Sequence, residues 1–408
     1  MHTLIAAVAV VGTLGLIDGV AADPISLEVA LERAGRRASV ESSRMEVDEA
    51  RAYARGAAMP LYNPELSAAA GPQFGPDVSL QAQIGLQQPI ERGGKRAART
   101  KVADLAAHGA ELASRGEVLR ARVETWRAFE RSLVLRERLE TQRQVEALAQ
   151  SLVTAMQKSA AAGGTTKLRV NLVVADAGRA TQERIAAENA LATARAALAT
   201  AIGAAPRDVV EPAGEVVVPP SGAVDALVER ALREHPSALA LESEVAGARA
   251  RVADADARGV VDVTLGVSYA YAPDPDGANV VLAMFSVPLG VRNRNQGARD
   301  AARIAVKRAE LERGHMRTEI ERGVRLAAEN LERARAAVGA FDREVSETLT
   351  DNLAAAQDAF AKGGMDLVEL TTTQRELVAS RVAFLDAKLA LIETWADLAL
   401  AAGLEVMP

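Results

Sequence analysis

Residues 78–96, VSLQAQIGLQQPIERGGKR, change their periodicity at Pro89. From Val78 to Leu86 apolar and polar residues alternate one for one: Val78, Leu80, Ala82, Ile84 and Leu86 against Ser79, Gln81, Gln83 and Gly85. That is the period of a strand with one greasy and one wet face. Beyond Pro89 the apolar spacing lengthens to that of a helix, and no proline interrupts it before Pro206. A short two-faced strand therefore feeds a very long helix. From about residue 92 to 160 such a helix is ~100 Å long at 1.5 Å per residue.

The prolines repeat this layout. The chain has 408 residues and 15 prolines, and a second proline-free tract runs from Pro288 to Pro408. Each tract is broken once by a glycine pair, Gly163-Gly164 and Gly363-Gly364, so each reads as a helical hairpin with a glycine tip. Leu105, Leu112, Leu119, Trp126 and Leu133 form one seven-residue line, and Val324, Leu331, Val338 and Val345 another. Such heptads predict coiled-coil packing, which a solvated stalk would also show.

Further correspondences fall at an offset close to 200 residues: Glu32-Arg33-Ala34 with Glu229-Arg230-Ala231, Pro89 with Pro288, and Glu111-Leu112 with Glu310-Leu311. The sequence thus predicts two tandem structural repeats, 23–205 and 223–405, joined by a linker at 206–222 that includes EPAGEVVVPP. Each repeat is expected to hold a shorter helix, two strands, a long helix and a returning helix. The strands fall at about 64–71 and 78–89, then at about 261–272 and 279–289. VDVTLGVSYAY, 261–271, alternates as cleanly as the opening stretch, whereas NVVLAMFSVPL, 279–289, is apolar on both faces.

Composition narrows the function classes. Hydrophobic residues make up 49% of the chain but aromatics only 3%, which favours long helices packed through small side chains over a conventional large core. The formal net charge of -6 gives no basic excess for nucleic acid. The absence of cysteine excludes disulfides, thiolate metal sites, cysteine nucleophiles and a lipid-anchoring cysteine. Residues 1–22 read as a signal peptide, with an apolar run from Leu4 to Ile17 and small residues before Asp23. No later stretch matches the ~20 apolar residues of a membrane-spanning helix. Strands of 9–11 residues suit a tilted bilayer passage, and a soluble sheet edge would show the same alternation.

No catalytic constellation is present, and neither a catalytic residue nor a cofactor or metal site is assigned. His2, His108, His235 and His315 are scattered without ligand spacing, and no phosphate-loop motif occurs.

QQPIERGGKRAAR (87–99), VPLGVRNRNQGARDAAR (287–303) and AKGGMDLVELTTTQREL (361–377), doubled in order along the chain, resemble the TolC-like outer-membrane efflux channels. The IERGGKR form looks most like the branch serving heavy-metal cations (cobalt, zinc, cadmium, copper). The resemblance implies a mainly α chain with a membrane β-barrel, a homotrimer pooling four strands per chain into a 12-strand barrel, and a 12-helix periplasmic tunnel. It implies a location in the cell outer membrane, in contact with its lipid and extending into the periplasm. The partners implied are a periplasmic adaptor and an inner-membrane RND-type pump, and the function is a passive exit duct. A drug or small-molecule channel of the same architecture, a periplasmic adaptor and a structural coiled coil are the alternatives.

Channels of this family often carry two acidic residues three apart at the narrow end. Here the first position is Glu369 and the second is Thr372. Arg169 stands 200 residues before Glu369, and the two are candidates for a periplasmic gate, with Asp366 and Phe360 as further candidates lining it.

Overall fold

The computed structural model describes residues 24–73, 79–205, 207–208, 210–220, 222–272, 278–341 and 349–406. The signal-peptide reading at 1–22, Val78 and Val345 lie outside them. The helices are α1 (Leu27–Ala34), α2 (Ala38–Ala57), α3 (Lys95–Ala161), α4 (Lys167–Ala201), α5 (Val224–Glu234), α6 (Pro236–Arg258), α7 (Gln296–Gly339), α8 (Leu349–Ala361) and α9 (Leu367–Ala402). The strands are β1 (Pro24–Ile25), β2 (Glu65–Gln73), β3 (Ser79–Ile90), β4 (Glu211–Pro212), β5 (Val263–Ala272) and β6 (Ala278–Ser286).

The spine is α3, a single helix of 67 residues. Two helices cover it in succession. α2 lies along its first part, where Arg51 binds Glu111 at 2.7 Å and Arg37 binds Glu117 at 3.0 Å. α4 returns along the remainder, where Arg184 binds Glu146 at 2.6 Å. In the second half, α7 and α8 occupy separate spans, and α9 packs against α7, α8 and α3.

The main core sits where α1, α3, α5, α7 and α9 meet. Its centre is Trp126 against Trp395, with ring centroids 4.3 Å apart. These are the only two tryptophans of the chain. Trp126, Leu112 and Leu133 from the first heptad line are buried, as are Val324 and Leu331 from the second. Elsewhere alanines dominate the helix contacts, which explains how so few aromatics suffice.

The expected membrane β-barrel is corrected by the sheet. β2, β3, β5 and β6 form one open antiparallel sheet in the order β2-β3-β5-β6, and among the described residues β2 and β6 each have a single neighbour. The physical reason is strand number: about eight strands are needed to close even a small barrel, and four twisted strands do not come round. The second sheet is only the two-residue parallel pair β1-β4. No helix among the described residues is long and apolar enough to cross a membrane.

The open sheet does have two faces. Its register sets Leu66 beside Leu86 and Val267, and Ala68 beside Ile84, Tyr269 and Val281. The opposite rows hold Glu65, Gln87 and Gly266, then Ser67, Gly85 and Ser268. Leu66, Ile84, Leu86, Val267, Tyr269 and Val281 are all exposed in the chain.

Candidate functional site

The two hairpin tips are built alike. Each outgoing helix ends on a glycine in the left-handed region, Gly163 at φ +74° and Gly363 at φ +75°, where a side chain would be strained. The next amides close back on the helix, Gly164 N–H on the Ser159 carbonyl and Gly364 N–H on the Ala359 carbonyl, both at 2.8 Å. Each returning helix then starts from a capping side chain. Thr166 accepts from Arg169 N–H at 3.4 Å, and Asp366 accepts from Glu369 N–H at 2.8 Å.

Arg169 and Glu369 therefore hold the same third position of their helices. Their electrostatics differ. The Glu369 carboxylate completes a capping box by accepting from Asp366 N–H at 3.0 Å, and its charge suits the positive helix start. A cation at that position is disfavoured by a few tenths of a kcal/mol or more, so Arg169 gains nothing locally. Both side chains are exposed, and no ion pair joins them within the chain among the described residues. Thr372 is exposed one turn beyond Glu369. Phe360 is half-buried and packs on the tip core of Leu152, Met156, Val173, Leu367 and Leu370.

The structure supplies a link that sequence reasoning missed. Arg375 of α9 binds Asp176 of α4 at 2.6 Å, and Arg179 reaches the same carboxylate oxygen at 3.0 Å. This ion pair ties the two returning helices together two turns above their tips. In sequence it was hidden, because neither residue sits at a position duplicated with opposite charge. Higher up on α3, Arg127 binds Glu393 and Asp397 of α9, Arg131 binds Glu393, Arg138 binds Asp386, and Glu137 binds Arg381 and Lys388.

The glycine-rich junction that opened the sequence reading has its own assignments. Gly93 and Gly94 have φ of +69° and +73°, and a Cβ on Gly93 would lie 2.6 Å from Val260. Glu91 binds Arg99 at 2.6 Å, while Lys95 binds Asp262 at 2.8 Å. Glu91 and Lys95 of IERGGKR thus join sheet to helices. Among the described residues no three His, Asp or Glu side chains come together as a metal site.

The profile of a family described as "Outer membrane efflux protein" matches the chain over residues 30–204 and again over 227–404. The chain belongs to that family. As an outer membrane efflux protein it is a transport conduit and not an enzyme. No curated relative matches it. Its fold is similar to that of a membrane protein from Pseudomonas aeruginosa, at 19% identity and a TM-score of 0.75, covering 92% of each chain. It is also similar to the outer membrane protein VceC from Vibrio cholerae, at 17% identity and a TM-score of 0.73, covering 92% of this chain and 96% of that one. The open state of the MtrE outer membrane channel of Neisseria gonorrhoeae gives 18% identity and a TM-score of 0.72, with coverage of 94% and 90%. At these identities the likeness speaks for the fold, and the family match for the efflux role.

Proposed function

We propose that this efflux protein is the passive exit duct of a tripartite pump, a homotrimer in the outer membrane whose helical hairpins reach into the periplasm and meet an adaptor and an RND-type pump. The observation that carries this reading is the pair of hairpin tips. They share one backbone geometry, yet present a cation at Arg169 and an anion at Glu369 with no partner for each other in one chain. Between copies, Arg169 of one subunit and Glu369 of the next would close the narrow end, with Asp176–Arg375 holding the returning helices inward. Opening breaks these links, as interface switches do. Leu168, Leu172 and Val368, exposed beside the tips, supply an apolar surface for the adaptor. The apolar sheet face of Leu66, Ile84, Leu86 and Val281 is the surface that meets lipid.

The cargo favoured is a range of small organic molecules. IERGGKR carried the heavy-metal reading, and its Glu91 and Lys95 are engaged at the sheet–helix junction, far in sequence from the tips. The first test is conductance in planar bilayers. Glu369→Gln and Arg169→Gln keep the local helix starts while removing one charge each, and each is expected to raise the conductance of the closed channel. Unchanged conductance in both sinks the gate assignment. The second test is complementation of a strain lacking its own outer-membrane channel. Restored resistance to ethidium supports the organic-cargo reading, whereas restored resistance to cobalt, zinc and cadmium alone overturns it.

A further inference from the structure

Above the tips, α3, α4 and α9 do not close on one another. They line a half-open cavity of about 640 Å³, with Leu353 of α8 on its wall. That volume falls within the range of small-molecule pockets, roughly 300–1,000 Å³. Much of the lining is aliphatic, including Leu152, Val173 and Val378. Two features of the lining are chemically unfinished.

The first is Gln142 of α3. Its side chain is only 4% exposed, yet its amide oxygen Oε1 has no hydrogen-bond partner. A buried acceptor left unpaired costs about 1–3 kcal/mol, so a ligand donor toward which the Gln142 amide turns recovers a loss the apo protein carries. The second is the Asp176 cluster. Arg179 and Arg375 both bond to Asp176 Oδ1, so two guanidiniums share one carboxylate oxygen at the cavity wall. Guanidiniums with donors to spare are the preferred partners of a second carboxylate.

We infer that this cavity is a binding site for an amphipathic organic acid: a rigid apolar body, a carboxylate taken by Arg375 and Arg179, and a hydrogen-bond donor given to Gln142 Oε1. The site lies in the wall of the bundle and is lined by one chain; it shares the Asp176–Arg375 tie with the proposed gate, and to that extent rests on that reading, but does not include Arg169 or Glu369. Because its acid competes with Asp176 for Arg375, occupancy loosens the tie between α4 and α9.

The probe is 4′-hydroxybiphenyl-4-carboxylate, which carries all three elements. It is titrated calorimetrically into the full-length protein in dodecyl maltoside, with protein-free micelles as the reference. Saturable binding of one probe per chain is expected. Arg375→Gln should weaken it by about 10-fold or more, the worth of a charge-assisted bond. Biphenyl-4-carboxylate, lacking the hydroxyl, should bind wild type about 5-fold more weakly and bind Gln142→Leu as well as the hydroxylated probe does. Ala149→Phe keeps every polar group and fills the cavity, so it should abolish binding in a protein whose helicity and elution volume are unchanged. No saturable binding to wild type, or binding that survives both Arg375→Gln and Ala149→Phe undiminished, overturns the site. The conductance test uses Arg169 and Glu369, which do not line the cavity, so its failure is distinguishable from failure of these titrations.

Discussion

Glu130 offers the sharpest test of how this bundle is held at its middle. It lies within α3, is only 1% exposed, and accepts one hydrogen bond, from Val217 N–H at 3.2 Å. Val217 belongs to the segment between the two halves. That segment runs across the bundle as a belt: β4 pairs with β1, Arg136 donates to the Pro212 carbonyl at 2.7 Å, and Arg335 donates to the Pro219 carbonyl. Burial pushes the Glu130 carboxyl up to about 7, against the smaller pull of the Val217 amide in the other direction. An acid whose folded value is raised above its unfolded one destabilises the fold once the unfolded chain ionises. Nothing is lost below about pH 4.5, the loss grows between there and pH 7, and it is constant above. From 4.5 to about 7 the penalty is about 3 kcal/mol at 1.36 kcal/mol per pH unit. Glu130→Gln keeps an acceptor for Val217 N–H and removes the charge. For a chain of this length the gain corresponds to an apparent Tm about 3–4 °C higher at pH 8, and to no difference at pH 4.5. Trp126, one turn away in the same helix, reports the transition by intrinsic fluorescence in detergent. A Tm difference that is the same at both pH values, or a variant less stable at pH 8, would refute the reasoning.

Three further outcomes follow from packing and backbone geometry. Trp126→Ala empties the centre of the core opposite Trp395 and should cost about 3–5 kcal/mol, read as a lower apparent Tm with the fold retained. Gly93→Ala should destabilise more than Gly94→Ala: both pay about 1–2 kcal/mol for a left-handed φ, but only the first drives a Cβ into Val260, and equal thermal shifts would contradict the assignment. Glu369→Ala should speed hydrogen exchange at the Asp366 amide about 5-fold by removing its acceptor, whereas Glu369→Gln leaves it unchanged.

What the sequence could show depended on whether a feature has a period. The alternation at 78–86 and 261–271 identifies strands and their faces, and the register that sets Leu86 beside Val267 lines those apolar faces up. The proline-free tract and the heptad line mark α3, and Gly163 and Gly363 mark its tip and the corresponding one because only glycine is comfortable there. Closure of a sheet has no period. An alternating strand reads the same in an open sheet as in a barrel, and where the expectation pooled the strands of three chains into a barrel, the four strands of this chain form an open sheet. The heavy-metal reading rested on the resemblance of IERGGKR, whose Glu91 and Lys95 serve the sheet–helix junction, so that stretch carries no information on cargo. The belt escaped because EPAGEVVVPP repeats nothing, and its key partner, Glu130, sits between Arg127 and Arg131 in what reads as a solvated charged stretch. Gln142 escaped likewise, because a glutamine among Arg138, Arg143 and Glu146 gives no hint of burial.

The candidate gate pair came from a different signal: the chain carries its own comparison. Two tips 200 residues apart have kept one backbone solution, glycine for glycine and cap for cap, while the third helical position diverged from arginine to glutamate. Local stability accounts for the glutamate, which completes a capping box, and leaves the arginine unexplained, since a cation there opposes the helix dipole. Stability alone would favour an acid at both tips. The gate proposed above would give Arg169 a use outside its own helix. An opposite charge at the equivalent position of a neighbouring copy is the partner that requires no further change in the fold.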